Sequence, residues 1–267
     1  MLIDYHTHTY LCKHADGKPQ EYIEEAEAKG IDELGLADHC PWPSGFDERW
    51  RMNEKEFPIY REIVKNLKAQ SSRVKIRYGI EIDWVPGKMN EIYDNLKTEE
   101  LDYIIGSIHY IDDFPFDNPE LLPVWKKKET PDLVWSRYAE LLVEFINSFD
   151  YEIIGHADLP KKFGYYPSSM KKFNSIMHDA FLAAAKKNMA IEINTSGLRK
   201  PVKEFYPSLE LLKMAKECGL ALTLGSDAHS PKEVASDFSA AVELAENAGY
   251  SEIATFDRRV MKLCPLG

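Results

Sequence analysis

The chain begins Met1-Leu-Ile-Asp-Tyr-His6-Thr-His8, and this stretch decides how the rest of the sequence is interpreted. The apolar residues Leu2, Ile3 and Tyr5 are typical of a short buried strand, and that strand ends in a His-x-His pair. Side chains alternate along an extended chain, so His6 and His8 point to the same side. Two neutral imidazoles that converge at the end of a strand supply half of a metal site.

The same pattern recurs because short apolar strands alternate with amphipathic helices along the chain. Strands are predicted over 1–6, 33–38, 74–82, 102–109, 151–157, 190–195 and 221–226, with a weak eighth candidate over 252–256 that would complete a barrel or merely cover it. Helices are predicted over 18–29, 53–69, 88–97, 131–148, 168–187, 208–218 and 231–248. The apolar runs suit parallel strands buried on both faces. We therefore expect an α/β barrel of the TIM type with seven evident strands, in a single domain over residues 1–267.

Composition narrows the class of function. The 267 residues include 33 Lys and Arg against 44 Asp and Glu, and the formal net charge of -11 disfavours nonspecific binding to nucleic acid. The four cysteines are far apart, which argues against a disulfide framework and a zinc ribbon. Apolar runs are too short to span a membrane, and histidines stand where an export signal would need its hydrophobic core. We expect a cytoplasmic protein without a nucleic-acid or membrane partner.

Side chains that bind metals follow almost every predicted strand. They are His6, His8, Asp38, His39, Glu81, Asp83, His109, His156, Asp158, Glu192, Asn194, Asp227 and His229, with His14 in the first loop. Parallel strands of a barrel all finish at one end, so these side chains should converge. The donors exceed the needs of one tetrahedral zinc, and imidazole with carboxylate suits zinc, manganese or iron. The long segments 40–52 and 110–130 also follow strand ends, so we expect irregular functional loops there.

An ordered set of short motifs runs along essentially the whole chain. The motifs are His6-x-His8, Cys12-x-His14-Ala-x-Gly17, Ala37-Asp38-His39-x-Pro41, Gly79-Ile-Glu81, Ser107-Ile-His109, Gly155-His156-x-Asp158 and Ser226-Asp227-x-His229. This set resembles the polymerase-and-histidinol-phosphatase (PHP) superfamily. Within it, residues 107–117 and 194–200 are most similar to the monofunctional histidinol-phosphate phosphatases. The resemblance implies a distorted (β/α)7 barrel with its active site at the carboxyl ends of the strands.

The resemblance also implies a trinuclear centre of divalent transition-metal ions, which we expect to be zinc, manganese or iron. Its ligands by motif are His6, His8, Glu81 and Asp227 for one ion, Glu81, His109 and His156 for a second, and His14, His39 and His229 for a third. Glu81 would bridge the first two ions. All nine positions hold the expected residue type.

The predicted reaction is hydrolysis of a small phosphomonoester. Three divalent ions against two carboxylates leave a pocket that attracts a phosphate dianion, and a metal-bound hydroxide would supply the nucleophile. The resemblance implies that L-histidinol phosphate is converted to L-histidinol and inorganic phosphate, a step of histidine biosynthesis. The alternative is a PHP phosphoesterase that acts on another small phosphomonoester, such as a nucleotide or a sugar phosphate.

Several residues outside the ligand set are candidates for catalysis and substrate binding. The proton donor to the leaving group would be Asp158, His229 or a metal-bound water. Arg199 is expected to make a bidentate phosphate contact, and Lys161 or Lys162 to add a second cation. An ammonium and an imidazole would be held by carboxylates and aromatic faces, for which the candidates are Asp112, Asp113, Asp117, Phe114 and Phe116, with Trp42 as the opposite wall. Alternatively, the two phenylalanines anchor their loop to the barrel.

Two other classes of protein fit the sequence less well. A non-catalytic metal-bearing module of a polymerase or regulatory assembly would not need the full ligand set. A metallohydrolase of the amidohydrolase type also begins with His-x-His, but it usually bridges its metals with a modified lysine at strand four, where this chain has His109.

Overall fold

Seven parallel strands form a nearly closed barrel in the computed structural model, which describes residues 1–42, 45–71 and 73–267. In chain order the strands are β1 (Ile3–Asp4), β2 (Glu33–Leu36), β3 (Lys75–Asp83), β4 (Tyr103–Ser107), β5 (Tyr110–Ile111), β6 (Phe114–Pro115), β7 (Ile153–Ile154), β8 (Ala190–Asn194), β9 (Ala221–Gly225), β10 (Glu252–Asp257) and β11 (Val260–Pro265). The barrel order is β1-β2-β3-β4-β7-β8-β9. Its first and last strands meet where Tyr5 N donates to Leu224 O at 3.0 Å. The predicted (β/α)7 barrel is confirmed.

Helices connect the barrel strands and flank them. They are α1 (Pro19–Ala28), α2 (Phe57–Gln70), α3 (Met89–Leu96), α4 (Leu122–Trp125), α5 (Thr130–Ser148), α6 (Met170–Lys186), α7 (Leu209–Glu217) and α8 (Phe238–Asn247). In the part of the chain that the structure describes, none of the helices is both long and apolar enough to cross a membrane. The predicted helix over 231–248 is wrong in its first part, where a 3-10 turn at Pro231–Glu233 precedes α8. The buried carboxylate of Asp4 accepts from Ala235 N at 2.9 Å and holds the chain away from a helical path there.

Aromatic rings fill the barrel beneath the carboxyl ends of its strands. Tyr5 and Tyr103 are stacked, with ring centroids 4.8 Å apart, and the Tyr103 hydroxyl donates to the carbonyl of Tyr5. The Tyr103 ring needs the space that two glycines leave. A Cβ atom at Gly35 would lie 1.9 Å from its hydroxyl oxygen, and one at Gly79 would lie 2.3 Å from its Cζ. The interior is thus closed at this level by two tyrosines.

The weak eighth strand candidate covers the barrel and does not complete it. It forms β10, which pairs antiparallel with β11 in a separate two-stranded sheet. Phe256 of β10 packs against Tyr103 with ring centroids 6.2 Å apart, and Asp257 accepts from Arg77 Nη1 at 2.9 Å. Because Arg77 and Tyr103 lie near the amino ends of their strands, this hairpin closes the end of the barrel opposite to the predicted site.

The two long segments differ in structure. Residues 40–42 and 45–52 contain turns without helix or strand, and Pro43 and Ser44 of this predicted loop lie outside the described residues. Segment 110–130 is not irregular, because it folds into the β5–β6 hairpin, a 3-10 turn at Pro119–Leu121 and α4. The buried ring of Trp125 organises it, since its Nε1 donates to Phe116 O at 2.8 Å.

Candidate metal centre

The carboxyl end of the barrel brings together seven of the eight histidines of the chain. Neighbouring rings of this group have centroids 4.1 to 6.3 Å apart. We call these residues, together with two carboxylates, the histidine cluster: His6, His8, His14, His39, His109, His156, His229, Glu81 and Asp227. His178 is the remaining histidine, and it lies half-exposed on α6, outside this group. The scattered motifs therefore form one site.

Backbone pairing holds the first two histidines in place. Thr7 forms a parallel bridge to Ala228, and its hydroxyl donates to Gly35 O at 2.8 Å. The chain is thus pinned between its two neighbours, while His6 and His8 on either side of Thr7 are both buried. This fixed extended geometry turns both imidazoles toward the same carboxylate.

Glu81, which is 1% exposed, lies at the centre of the cluster. Its Oε1 is 3.1 Å from His156 Nε2 and 3.8 Å from His109 Nε2. Its Oε2 is 2.9 Å from His39 Nδ1, 3.4 Å from His6 Nε2 and 3.7 Å from His8 Nε2. Five imidazoles therefore surround one carboxylate, and each of its oxygens faces a different set of rings.

Asp227 is the second carboxylate of the cluster. Its Oδ1 lies 3.2 Å from His8 Nε2 and 3.9 Å from His6 Nε2, and its Oδ2 accepts from Ser196 Oγ at 3.0 Å. The residue adopts a left-handed backbone conformation with φ of 52°, which is uncommon for a residue other than glycine and typical of functional sites. Asp227 thus shares the two histidines of the first strand with Glu81.

The donor atoms fall into groups whose members all lie within 4.8 Å of one another. The first donor group is His6, His8 and Glu81, the second is Glu81, His109 and His156, and the third is His14, His39 and His229. The second and third groups have the same members as the ligand sets implied by the motifs, and the first has three of the four, without Asp227. Two further groups meet the same distance limit. One consists of His8, Cys12 and His229, and the other of His39, Asp83 and His109. Burial raises the pKa of the Cys12 thiol, which disfavours the thiolate that a metal would need.

The cluster contains more buried donors than hydrogen bonds. Among the described residues, the buried atoms without a hydrogen-bond partner include His6 Nε2, both ring nitrogens of His8, His39 Nδ1, His229 Nε2 and Glu81 Oε2. Buried polar atoms are rarely left unpaired in native proteins, because each one costs free energy. These atoms point at one another, so cations held between them would satisfy all of them. The residues present therefore fit a centre of divalent metal ions.

The histidines differ in their protonation. Burial lowers the pKa of His14 to about 4, with repulsion from His39 and His8 adding to the effect, and it also lowers the pKa of His229 and His39. The third donor group therefore consists of neutral imidazoles, whose lone pairs are free to bind a cation.

Carboxylates have the opposite effect on the other rings. Burial lowers the pKa of His6, but Glu192, Glu81 and Asp227 raise it to well above its usual range. His109 behaves likewise, since Asp83 and Glu81 outweigh burial and raise its pKa to about 10. Burial favours the neutral forms of Glu81 and Asp227, but the nearby imidazoles hold the pKa of both carboxyls well below the usual range.

A layer of supporting residues lies behind the cluster. Glu192 of β8 is 2.9 Å from His6 Nδ1, and Asp83 at the end of β3 is 2.5 Å from His109 Nδ1. Arg51 lies 2.8 Å from the other oxygen of Asp83. Because Asp83 is occupied on both sides, it supports His109 and does not point a free oxygen at a cation. The strand-end pattern identified Glu192 and Asp83 as donors, whereas no pattern in the sequence indicated a role for Arg51.

Arg199 lies beside the Asp227 segment. Its Nη2 donates to Ser226 O at 2.6 Å, its Nε lies 3.2 Å from Glu233, and its buried Nη1 has no hydrogen-bond partner among the described residues. Burial and the nearby cations Lys162 and Arg199 lower the pKa of Lys200, which the sequence interpretation did not single out. A group of cations therefore borders one side of the cluster.

Lys161 and Asp158 form a buried pair. Their Nζ and Oδ2 atoms are 2.9 Å apart, and Asp158 Oδ2 also accepts from Ser208 N at 2.9 Å. Lys161 also lies 3.2 Å from Glu204, so its charge is already neutralised by two carboxylates. The structure thus gives both predicted residues a role in fixing the segment after β7.

Only some of the residues predicted to hold the ammonium and imidazole of a substrate lie near the cluster. Asp117 accepts from Lys162 Nζ at 3.0 Å, and His109 and His156 are close enough to help hold the pKa of Asp117 below its usual value despite burial. Asp113 stands at the exposed turn of the β5–β6 hairpin, and Phe114 is half-buried against the core. Trp42 is 1% exposed and packs edge-on against Phe46, so its ring belongs to the core and does not form an open wall.

Comparison with known proteins agrees with this arrangement. The PHP domain model matches residues 4–196. The chain is 36% identical to a probable histidinol-phosphatase of Deinococcus radiodurans over 98% of both chains, and 28% identical to a histidinol-phosphatase of Lactococcus lactis over 95% of this chain and 94% of that protein. A crystal structure of histidinol phosphate phosphatase from Lactococcus lactis, complexed with zinc, L-histidinol and phosphate, is 25% identical, with a TM-score of 0.81 and 98% of both chains covered. The chain belongs to the PHP domain family.

Proposed function

We propose that this chain is a metal-dependent phosphomonoesterase that hydrolyses L-histidinol phosphate to L-histidinol and inorganic phosphate, as a step of histidine biosynthesis. The observation that carries the proposal is the convergence of seven histidines on Glu81 and Asp227 at the mouth of the barrel. The full-length similarity to histidinol-phosphatases supports the substrate. We further propose that residues 1–267 act as one PHP-type domain in the cytoplasm.

Three divalent transition-metal ions, zinc, manganese or iron, are assigned to the cluster. His6, His8, Glu81 and Asp227 would hold the first, Glu81, His109 and His156 the second, and His14, His39 and His229 the third. The short distances within the three donor groups and their unpaired atoms support this assignment. When bound, such ions polarise the phosphoryl oxygens and make water a competent nucleophile at neutral pH.

The protein side chains would orient the substrate and balance its charge. The unpaired Nη1 of Arg199 is suited to a phosphate oxygen, because its Nη2 and Nε are already fixed by Ser226 and Glu233. Lys162 and Lys200 would add positive charge on the same side. The proton for the alkoxide leaving group would come from Asp158 or from water, because burial raises the pKa of the Asp158 carboxyl and its Oδ1 has no hydrogen-bond partner among the described residues. His229 is not assigned this role, because its imidazole is neutral, is assigned to the third ion and places Nδ1 3.0 Å from Asp227 O. Asp117 would face the ammonium of the substrate.

The test measures phosphate release from L-histidinol phosphate and from a panel of nucleotides and sugar phosphates, together with the metal content of the same preparation. We expect a strong preference for L-histidinol phosphate that is lost on chelation and restored by zinc, manganese or iron. His156→Ala should abolish activity and lower the content of bound metal, whereas His178→Ala, outside the cluster, should change neither. Activity that survives complete removal of metal would contradict the mechanism, and a preference for another phosphomonoester would contradict the substrate.

A further inference from the structure

Trp50 differs from every other tryptophan of the chain. The chain has five tryptophans, and Trp50 is 40% exposed, whereas the other four are between 1% and 7% exposed. An indole ring that stays in contact with water forgoes the free energy that burial would supply. The exposed ring is therefore available to contact a ligand at the surface where it lies.

That surface is the rim of the histidine cluster. The indole of Trp50 packs nearly perpendicular to the ring of His14, with centroids 5.4 Å apart and planes at 70°. His14 in turn stacks on His229 at 4.5 Å and lies 5.5 Å from His39. Trp50 thus borders the third donor group on its solvent side, where the organic part of a substrate would enter.

The residue after Trp50 fixes the position of the ring. Arg51 is 2% exposed, and its Nη1 donates to Cys40 O at 3.3 Å. Its Nη2 lies 2.8 Å from Asp83, and that carboxylate also contacts His109. A buried ion pair therefore ties the segment that carries Trp50 to a histidine of the second donor group. The indole is held in place relative to the cluster before any ligand binds, which lowers the entropic cost of recognition.

We propose that Trp50 is a specificity-determining residue, whose indole forms the wall against which the flat organic part of the phosphomonoester packs. The inference rests on the proposed function, in which that part is the imidazole of L-histidinol phosphate. With phosphate held between the cluster and Arg199, the remainder of the substrate extends toward the rim. An indole offers a large apolar face on which a heteroaromatic ring can pack. When the imidazole of the substrate is protonated, the indole also attracts it by a cation–π interaction. Trp50 thus replaces the buried Trp42 in the role that the sequence suggested for that residue.

Kinetics with Trp50→Ala and Trp50→Phe test the proposal. We expect Trp50→Ala to raise KM for L-histidinol phosphate about tenfold, equivalent to about 1.4 kcal/mol, with little change in kcat. Trp50→Phe should restore most of the loss because it keeps an aromatic face. Hydrolysis of 2-aminoethyl phosphate, which lacks a ring, should be unchanged in both variants. Leu182→Ala, which removes an exposed apolar side chain from α6, is the control and should match the wild type.

Fluorescence gives a readout that does not depend on turnover. In the metal-loaded wild type, iodide should quench mainly Trp50, and L-histidinol with inorganic phosphate should protect it. Trp50→Phe should lack the quenchable component. Unchanged quenching when these products are bound at saturation would overturn the proposal.

Two other outcomes distinguish failure of the Trp50 proposal from failure of the proposed function. Loss of bound metal in Trp50→Ala, or an equal loss of activity on both phosphates, would mean that the indole merely supports His14, and would also overturn the proposal. If the wild type instead prefers another phosphomonoester, the proposed substrate fails, and the same variants are then compared on that ester. A ring-dependent effect there would still support the wall, and its absence would reject it.

Discussion

Glu192 sets the orientation of the His6 imidazole within the histidine cluster. This buried carboxylate accepts from His156 N at 2.8 Å and from Asn194 Nδ2 at 2.9 Å, in addition to its contact with His6 Nδ1. An acceptor at Nδ1 places the ring proton there and leaves Nε2 free to face Glu81. Glu192 is thus a positioning residue for the first donor group.

Replacement of Glu192 by Gln should weaken metal binding without unfolding the protein. The amide keeps the shape of the carboxylate but has one acceptor oxygen for three donors, so the orientation of His6 is no longer enforced. We expect roughly 10- to 100-fold lower affinity for metal at the first donor group. The affinity for metal is measured from the metal content after dialysis against graded concentrations of a weak chelator. Glu120→Gln, at an exposed position, is the control. Equal metal retention in both variants would count against this role.

At the scale of single residues, the members of the histidine cluster could be predicted from the sequence, but the residues that support them could not. The histidines and carboxylates could be identified because they follow predicted strands. The role of Glu192 could not be identified from the sequence, because its partner His6 lies 186 positions away in the chain. Trp42 and Trp50 were equivalent in the sequence, since both occur in one loop after β2. The position of Trp50 depends on the buried contacts of Arg51 with Cys40 O and Asp83, and that of Trp42 on its packing against Phe46, which no local pattern encodes.

Among the elements, the segment over residues 45–52 matters because Arg51 joins it to β3. Replacing Arg51 by Met should leave Asp83 buried without its cation, and breaking a buried ion pair in this way typically costs about 3–5 kcal/mol. We expect a lower midpoint of thermal unfolding and loss of metal from the second donor group, because Asp83 no longer holds His109 in place. Arg49→Met, an exposed arginine of the same segment, is the matched control. Retention of both stability and metal in Arg51→Met would refute the link.

Glu152, which contacts Arg259 in the turn between β10 and β11, should give the stability of the fold a pH dependence. Burial raises the pKa of Glu152 to about 7, although Arg259 at 2.9 Å opposes the shift. Between its ordinary value of 4.5 and about 7, the folded state keeps a proton that the unfolded chain has lost. The free energy of unfolding therefore falls as pH rises through this window.

Urea denaturation of the chelator-treated protein at several pH values tests this. The difference in free energy of unfolding between wild type and Glu152→Gln should decline from about pH 4.5 to pH 7 and then level off, because glutamine does not titrate. A difference that is constant with pH would exclude Glu152 as the source.

Element type could be predicted far better than element ends. Strands of two residues, such as β1 and β7, were recognised because their apolar runs are flanked by polar ligands. The start of α8 was misplaced, since the contact between Ala235 and Asp4 spans 231 positions and competes with local helix signals. The β5–β6 hairpin was missed for a similar reason, as the burial of Trp125 and Phe116 organises a segment that looks like a polar loop.

For the molecule as a whole, bound ions should be a major source of stability. The unpaired buried donors of the cluster repel one another or stay unsatisfied when no cation is present. A ligand at about 100 times its dissociation constant stabilises the folded state by about 2.7 kcal/mol. We expect chelation to lower the midpoint of thermal unfolding by several degrees, and zinc to restore it. His178→Ala should show the same shift as the wild type, whereas His156→Ala should show a smaller one.

The stacked tyrosines inside the barrel determine the order in which products can depart. Tyr5 and Tyr103 fill the interior, and the β10–β11 hairpin lies beneath them, so the products would leave from the carboxyl end of the barrel. Under the proposed function, the alcohol product lies nearer to the rim of that end than the phosphate ion. L-Histidinol should therefore leave first and inorganic phosphate last. Steady-state product inhibition would report this sequence of events, with phosphate competitive against the substrate and L-histidinol noncompetitive.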